Sequence, residues 1–169
     1  MSVLDNLQSR AAKSPARIVL SEGHDPRIVA AAVSAVAAGI ATIILVGPEA
    51  DITKQLSDAG SAPSDAIRIE DPATSDLTAE VAQTYFDLRQ HKGVSIETAE
   101  KQAQDPLVFA AMLVRNGHAD GTVGGAVATT SDTVRAALQV IGKHEGAALV
   151  SSFFLMVLPE GHPSGRGGM

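Results

Sequence analysis

"RIVLSEGHDPRIVAAAVSAVAAGIATIILVG", residues 17–47, contains the clearest signals of the fold in this sequence. It begins and ends in short runs of Ile, Val and Leu, which are typical of strands buried on both faces of a parallel sheet. Between these runs, Asp25 and Pro26 form the start signal of a helix, an N-cap residue followed by proline at the first helical position. Gly39 stands where such a helix would end. A strand, a helix and a strand in this order predict a right-handed βαβ unit.

The same alternation continues along the chain. Strands are predicted at 17–20, 41–47, 66–70, 120–126 and 148–158. Helices are predicted at 3–12, 26–38, 48–56, 75–89, 96–102 and 106–116, and the stretch 129–142 also begins as a capped helix. We therefore expect an α/β fold, a three-layer α/β/α sandwich around a mostly parallel sheet. The glycine-rich end of the chain has no closing helix, so residues 1–147 are interpreted as one domain and 148–169 as the start of a second, truncated one.

The composition favours a globular protein that acts on small molecules. Of the 169 residues, 45% are hydrophobic and 19% charged, which is enough apolar material for a well-buried core. The formal net charge of −6 provides no basic field for nucleic acid, so a phosphorylated ligand would depend on individually placed arginines. Aromatic residues make up only 3% of the chain, which disfavours base or sugar stacking.

Several classes of chemistry are disfavoured by what the chain lacks. There is no cysteine, which excludes a thiolate nucleophile of the protein's own and fits a reducing compartment. The five histidines do not show metal-binding spacings, so no metal site is predicted. The N-terminus has no signal-peptide pattern and no apolar run is long enough to span a membrane, so we expect a cytoplasmic protein.

The segment "DGTVGGAVATTSDTVR", residues 120–135, has the pattern of an anion site. A predicted strand runs into two glycines, and a helix begins a few residues later. Backbone N–H groups exposed in such a loop, hydroxyl donors and the positive end of a helix together favour an anion at the carboxyl end of a strand. The residues expected to bind it are Gly125, Thr129, Thr130 and Ser131.

Arg135 lies in the first turn of that predicted helix, where the helix dipole disfavours a cation. An anion between the arginine and the helix end would reverse this effect. Alternatively, Asp132, three residues earlier, pairs with Arg135 on the surface. The spacing leaves both interpretations open.

Two further residues are candidates. Glu22 follows the first strand and is either a catalytic acid or base or a helix cap. Arg89 ends its predicted helix, where a cation is favoured by the dipole, so its position alone does not indicate a function.

Several separated motifs resemble, in order and spacing, the amino-terminal half of phosphate acetyltransferases. They are residues 17–52, "YFDLRQHKG" at 85–93, "DPLVFAAMLVRNGHADGTVGGAVATTSDTVRAALQVI" at 105–141 and "VSSFFLMVLP" at 150–159. The resemblance implies an isocitrate-dehydrogenase-like fold and, as a rule, a homodimer. It also implies transfer of an acetyl group between coenzyme A and inorganic phosphate, with coenzyme A as a substrate and no further cofactor.

In this resemblance, Arg89 of "LRQHKG" and Arg135 of "SDTVR" correspond to arginines that bind and orient the phosphate-bearing substrates. The family's catalytic aspartate and serine belong to the other half, so this chain alone is expected to be nearly inactive. The sequence departs from many members at Gly124, where they have serine, and at Ala128, where they have histidine. A phosphate butyryltransferase, or a non-catalytic domain like the regulatory module of bacterial malic enzymes, remains an alternative.

Overall fold

The computed structural model describes residues 2–158, in which helices and strands alternate. In chain order the elements are α1 (Val3–Ala11), β1 (Ala16–Leu20), α2 (Pro26–Ala37), β2 (Ala41–Val46), α3 (Glu49–Asp58), β3 (Ile67–Glu70), α4 (Thr78–Arg89), α5 (Ile96–Gln102), α6 (Pro106–Arg115), β4 (Gly121–Val123) and α7 (Thr130–Val140). A short 3₁₀ turn, Gln90–Lys92, follows α4. These bounds confirm the predicted helices and the first four predicted strands to within a few residues.

The strands form one parallel sheet in the order β3-β2-β1-β4. β1 lies in the middle, and its Val19 is in register with Ile44 of β2 and Thr122 of β4. Strand β4 is therefore adjacent to β1 although about a hundred residues separate them in the chain. This pairing brings the loops that follow β1 and β4 to the same edge of the sheet.

Helices cover both faces of the sheet. Because side chains alternate along a strand, Val19, Ile44 and Val46 point to one face, where they pack with buried residues of α4, α5 and α6. Leu20 and Leu45 point to the other face and pack with α2 and α3. The predicted three-layer α/β/α arrangement is thus confirmed, whereas the likeness to isocitrate dehydrogenases stays a prediction.

The predicted helix signals act as expected at two helices. The Asp25 side chain accepts a hydrogen bond from the N–H of Arg27, and Asp105 accepts from the N–H groups of Leu107 and Val108. At the other ends, Gly39 and Gly117 have positive φ angles of 66° and 81°, which glycine adopts without strain.

The fifth predicted strand is wrong: residues 148–158 form neither strand nor helix. Their large side chains are exposed, with Phe153 at 88% and Phe154 at 90%. A strand needs a neighbour that binds its N–H and C=O groups, and no strand described in residues 2–158 pairs with this segment. The apolar composition indicated a tendency to be buried, which does not create a pairing partner. The rest of the proposed second domain, 159–169, lies outside the described residues, so that division stays a prediction.

None of the helices in the described part of the chain is long and apolar enough to cross a membrane.

Candidate functional site

The candidate site lies where β1 and β4 end. The N–H of Ser21 donates to the carbonyl of Val123 at 3.3 Å, which continues the pairing one residue beyond β1. After this contact, residues 21–27 lead into α2 and residues 124–129 lead into α7. These two connections lie side by side at the carboxyl edge of the sheet, where ligands of α/β proteins usually bind.

Gly124 allows the two connections to approach closely. A Cβ atom added at this position would lie 2.5 Å from Oγ of Ser21 and 3.3 Å from Cδ2 of Leu107. The Ser21 hydroxyl is itself buried and has no hydrogen-bond partner within residues 2–158. The absence of a side chain at Gly124 is therefore a packing requirement of this particular loop.

The carboxylate of Glu22 organises the loop from 125 to 128. Oε2 accepts hydrogen bonds from the N–H groups of Gly125 at 2.8 Å and Ala126 at 2.7 Å. Oε1 accepts from Val127 at 2.9 Å and Ala128 at 2.6 Å. The Glu22 residue is only 4% exposed. Four consecutive backbone donors thus converge on one buried side chain.

This contact corrects the prediction that the loop offers exposed N–H groups to an external anion. The N–H of Gly125 is already bound, and the anion that it binds is the protein's own Glu22. Successive N–H groups in a loop do favour an anion. What sequence spacing could not indicate was that Glu22, 103 residues away in the chain, fills the position.

Glu22 is also not the helix cap considered above, and its carboxylate is occupied by the four N–H donors of the loop. Burial alone raises the pKa of its carboxyl group, but the four N–H donors together outweigh burial and lower the pKa below its usual value. A carboxylate held ionised in this way is not a proton donor near neutral pH. The cap of α2 is Asp25.

Arg27 also forms a hydrogen bond with the same loop, and the sequence analysis did not predict this contact. Its Nη2 donates to the carbonyl of Ala126 at 3.0 Å and to Oδ2 of Asp25 at 2.6 Å. The hydrogen bonds from Arg27 lower the pKa of Asp25 to about 2. Nothing in the spacing of Asp25 and Arg27 points to Ala126, so only the fold reveals this contact.

Thr129, one of the predicted hydroxyl donors, caps the start of α7. Oγ1 of Thr129 accepts from the N–H of Asp132 at 3.2 Å and donates to Oδ2 of Asp132 at 2.7 Å. Thr130 and Ser131 are exposed, and their side chains have no hydrogen-bond partner among residues 2–158. Thr129 is therefore the N-cap, while Thr130 and Ser131 leave their hydroxyls accessible.

Arg135 makes the local pair that was one of its two interpretations. Its Nη1 donates to Oδ1 of Asp132 at 2.8 Å, with 61% of the arginine side chain exposed. The pKa of Asp132 is lowered, first by the hydrogen bond from Thr129 and also by Arg135. Both residues line a hollow of about 140 Å³ between α6 and α7. The guanidinium is therefore accessible, and it carries one intrahelical partner.

Arg89 is the last residue of α4 and is half-buried. Its Nε is buried and has no hydrogen-bond partner within the described residues. α4 and α7 both pack against α6, but no hydrogen bond of residues 2–158 joins Arg89 to the loop or to Arg135. Gly125 and Thr129 thus precede α7 and Arg135 lies on it, whereas Arg89 lies on α4.

No group of three or more His, Asp or Glu side chains that could hold a metal ion occurs in the described part of the chain.

The family model described as Phosphate acetyl/butaryl transferase matches residues 2–164. A phosphate acetyltransferase of Paracoccus denitrificans is 46% identical over 169 residues, which are 100% of this chain and 49% of that protein. One of Clostridium acetobutylicum is 39% identical over 95% of this chain and 48% of its own length. The chain spans about half the length of these two relatives.

Solved structures agree with this similarity. A phosphotransacetylase from Streptococcus pyogenes matches with a TM-score of 0.76 and 32% identity, over 83% of this chain and 43% of that one. The EutD phosphotransacetylase from Staphylococcus aureus also has a TM-score of 0.76, with 35% identity, over 86% of this chain and 44% of its own.

Proposed function

The chain belongs to the phosphate acetyl/butaryl transferase family, and we propose that it supplies the phosphate-binding part of an enzyme that transfers an acetyl group between coenzyme A and inorganic phosphate. The observation that carries this proposal is the 46% identity, over the full chain, to a protein named phosphate acetyltransferase. The relatives reported above carry that name, which favours the acetyl group over the butyryl group. A non-catalytic regulatory domain is not favoured by any of these similarities.

Arg135 is the residue proposed to bind the phosphoryl group. Its guanidinium is exposed at the start of α7, and its one partner, Asp132, is 47% exposed. A solvent-exposed pair of this kind contributes little to stability, so it can open or be shared when a phosphate arrives. The planar guanidinium can then donate two parallel hydrogen bonds to phosphate oxygens.

Arg89 is proposed as the second cation for the phosphate-bearing substrates. A buried donor without a partner carries a free-energy cost that a bound oxygen atom would remove. The buried Nε of Arg89 is such a donor within residues 2–158. This interpretation agrees with the role that the resemblance assigns to Arg89.

The hydrogen-bond donors that we propose for the substrate differ from those predicted from the sequence. Because the N–H of Gly125 is bound to Glu22 and the hydroxyl of Thr129 to Asp132, the proposed donors to substrate are the hydroxyls of Thr130 and Ser131. Gly125 then contributes through its backbone conformation, with φ at +103°.

The chemical step follows from the proposed substrates. The thiolate of coenzyme A attacks the carbonyl carbon of acetyl phosphate, a carbon–sulfur bond forms, and the carbon–oxygen bond to phosphate breaks. The electron pair leaves with the phosphate, whose growing negative charge Arg89 and Arg135 stabilise. The thiol proton goes to a general base, which the resemblance places in the other half of such enzymes. We also propose that the protein is a cytoplasmic homodimer and that it needs no further cofactor.

The test is an assay of the protein produced from its complete coding sequence. We expect acetyl phosphate and coenzyme A to yield acetyl-CoA and phosphate, and butyryl phosphate to react more slowly. A folded protein that forms no acetyl-CoA in either direction would overturn the proposed activity. Faster turnover of butyryl phosphate would reassign the acyl group.

A further inference from the structure

The loop Gly125–Ala128 donates hydrogen bonds to both oxygens of the buried Glu22 carboxylate. Each oxygen receives two N–H donors, at distances between 2.6 and 2.9 Å. Charge-assisted hydrogen bonds are stronger than neutral ones and more directional, and burial strengthens them further. The loop backbone therefore has one favoured path, which is the path around this carboxylate.

The loop connects directly to the helix that bears Arg135. Ala128 is followed by Thr129, the N-cap of α7, and Arg135 lies one and a half turns further on. No flexible residue intervenes between the last N–H bound by Glu22 and that cap. A change in the path of the loop thus moves the first turns of α7 relative to the sheet.

Glu22 also decides which groups a phosphate could meet at this edge. Its negative charge takes the place that an external anion would occupy against the loop backbone. The N–H groups of residues 125–128 are therefore not available to an incoming phosphate, whereas the side chains of Arg135, Thr130 and Ser131 at the start of α7 are exposed.

We propose that Glu22 is a positioning residue for phosphate binding: its buried carboxylate holds the loop Gly125–Ala128 so that α7 presents Arg135 to the substrate. The inference rests on the proposed function, and it assigns Glu22 no contact with substrate. Arg27 also contacts the same loop, by donating to the carbonyl of Ala126.

Glu22→Gln is the sharpest variant, because it keeps the size of the side chain. The amide oxygen still accepts from two N–H groups, while the NH₂ group faces the other two donors and cannot accept from them. Glu100→Gln is the matched control, since Glu100 is an exposed glutamate of α5 without a side-chain hydrogen bond in the described residues. Both variants remove one negative charge.

Two readouts test the inference. In amide hydrogen exchange, Glu22→Gln should speed exchange at residues 125–128 while the amides of β1 and β2 keep their protection. In kinetics of the protein from its complete coding sequence, KM for acetyl phosphate should rise about 10- to 100-fold, with KM for coenzyme A changed less than twofold. Glu100→Gln should match the wild type in both.

The outcomes separate this inference from the proposed function. If the wild type makes no acetyl-CoA, the proposed function fails, whereas unchanged exchange at residues 125–128 in Glu22→Gln overturns the role of Glu22 on its own. An active wild type with an equal KM for acetyl phosphate in Glu22→Gln also overturns it. If that variant does not fold, Glu22→Asp decides: it keeps the negative charge but withdraws the carboxylate from the four N–H groups by one methylene, and an unchanged KM for acetyl phosphate would again contradict the inference.

Discussion

Arg135 donates a hydrogen bond from Nη1 to Oδ1 of Asp132 at 2.8 Å, within the first turns of α7. The two side chains are 61% and 47% exposed, so water already competes for the contact. Arg135 lies in the second turn of α7 rather than the first, so the helix dipole acts on it only weakly. An exposed pair of this kind contributes little to stability. The same guanidinium can therefore pair with Asp132 in the free protein and bind phosphate in the substrate complex.

Arg135→Ala should separate stability from activity. Because the pair with Asp132 is exposed, we expect the urea midpoint to stay close to that of the wild type. KM for acetyl phosphate should rise about 10- to 100-fold, since hydrogen bonds to charged groups contribute about 1.5–3 kcal/mol. Arg135→Lys, which keeps the charge but lacks the planar guanidinium, should be intermediate. Arg10→Ala is the control for loss of one exposed arginine; kinetics equal to those of the wild type in Arg135→Ala would remove Arg135 from the site.

Arg89→Met should leave the fold as stable as the wild type, or more stable by up to about 1 kcal/mol. The substitution keeps the apolar stem and removes a buried Nε that has no partner within residues 2–158. Acetyl transfer should fall nonetheless, if Arg89 binds a phosphate-bearing substrate. Urea unfolding and steady-state kinetics measure the two effects. A stability loss above about 2 kcal/mol would instead indicate that Arg89 serves the fold.

Gly124→Ala should destabilise the protein by about 1–3 kcal/mol through overpacking. The added Cβ would lie 2.5 Å from Oγ of Ser21. Removing that hydroxyl with Ser21→Ala should recover part of the loss, because the two positions are in contact and their effects are not additive. Urea unfolding of the two single variants and the double variant measures this coupling.

Gly121→Ala is the matched control for Gly124→Ala. A Cβ at Gly121 would meet only Cδ1 of Ile18, at an ordinary 3.5 Å. We expect a change of less than about 1 kcal/mol. Equal destabilisation by the two alanines would show that the close approach to Ser21 is not the cause.

The stability of the protein should fall in acid partly through Asp25. Arg27 lowers the pKa of this carboxyl from 3.8 to about 2. A group whose pKa is lower in the folded state stabilises the fold above its unfolded pKa, and this contribution is lost as the pH falls through the folded pKa. The loss attributable to Asp25 is therefore expected between about pH 4 and pH 2.

Asp25→Asn tests this directly, because asparagine remains a good N-cap but cannot ionise. We expect lower stability than the wild type near neutral pH and a shallower decline in acid, measured by urea unfolding at several pH values. Asp76→Asn, at an exposed aspartate with no side-chain hydrogen bond in the described residues, should keep the wild-type slope. A parallel decline in Asp25→Asn and wild type would contradict the assignment.

Much of the fold was readable from the sequence, since its signals are local. Asp25 with Pro26 starts α2, and Gly39 ends it, because capping and a positive φ depend on residues within one turn. The apolar runs predicted the strands of a parallel sheet buried on both faces. The same rule failed at 148–158, because an apolar run reports a preference for burial, whereas a strand also needs a partner for its backbone.

The candidate site likewise has features that local sequence signals predict and others that depend on the fold. Local patterns were enough to predict that residues 124–131 form a glycine-rich turn into a helix and that such a backbone favours an anion. The prediction that Arg135 lies in the first turn was wrong by one turn. Which anion occupies the turn could be seen only in the folded chain. Because β4 is hydrogen-bonded to β1, Glu22 lies within 3 Å of four N–H groups that are more than a hundred residues away in the chain. Strand order brings these groups together, and no local pattern encodes strand order.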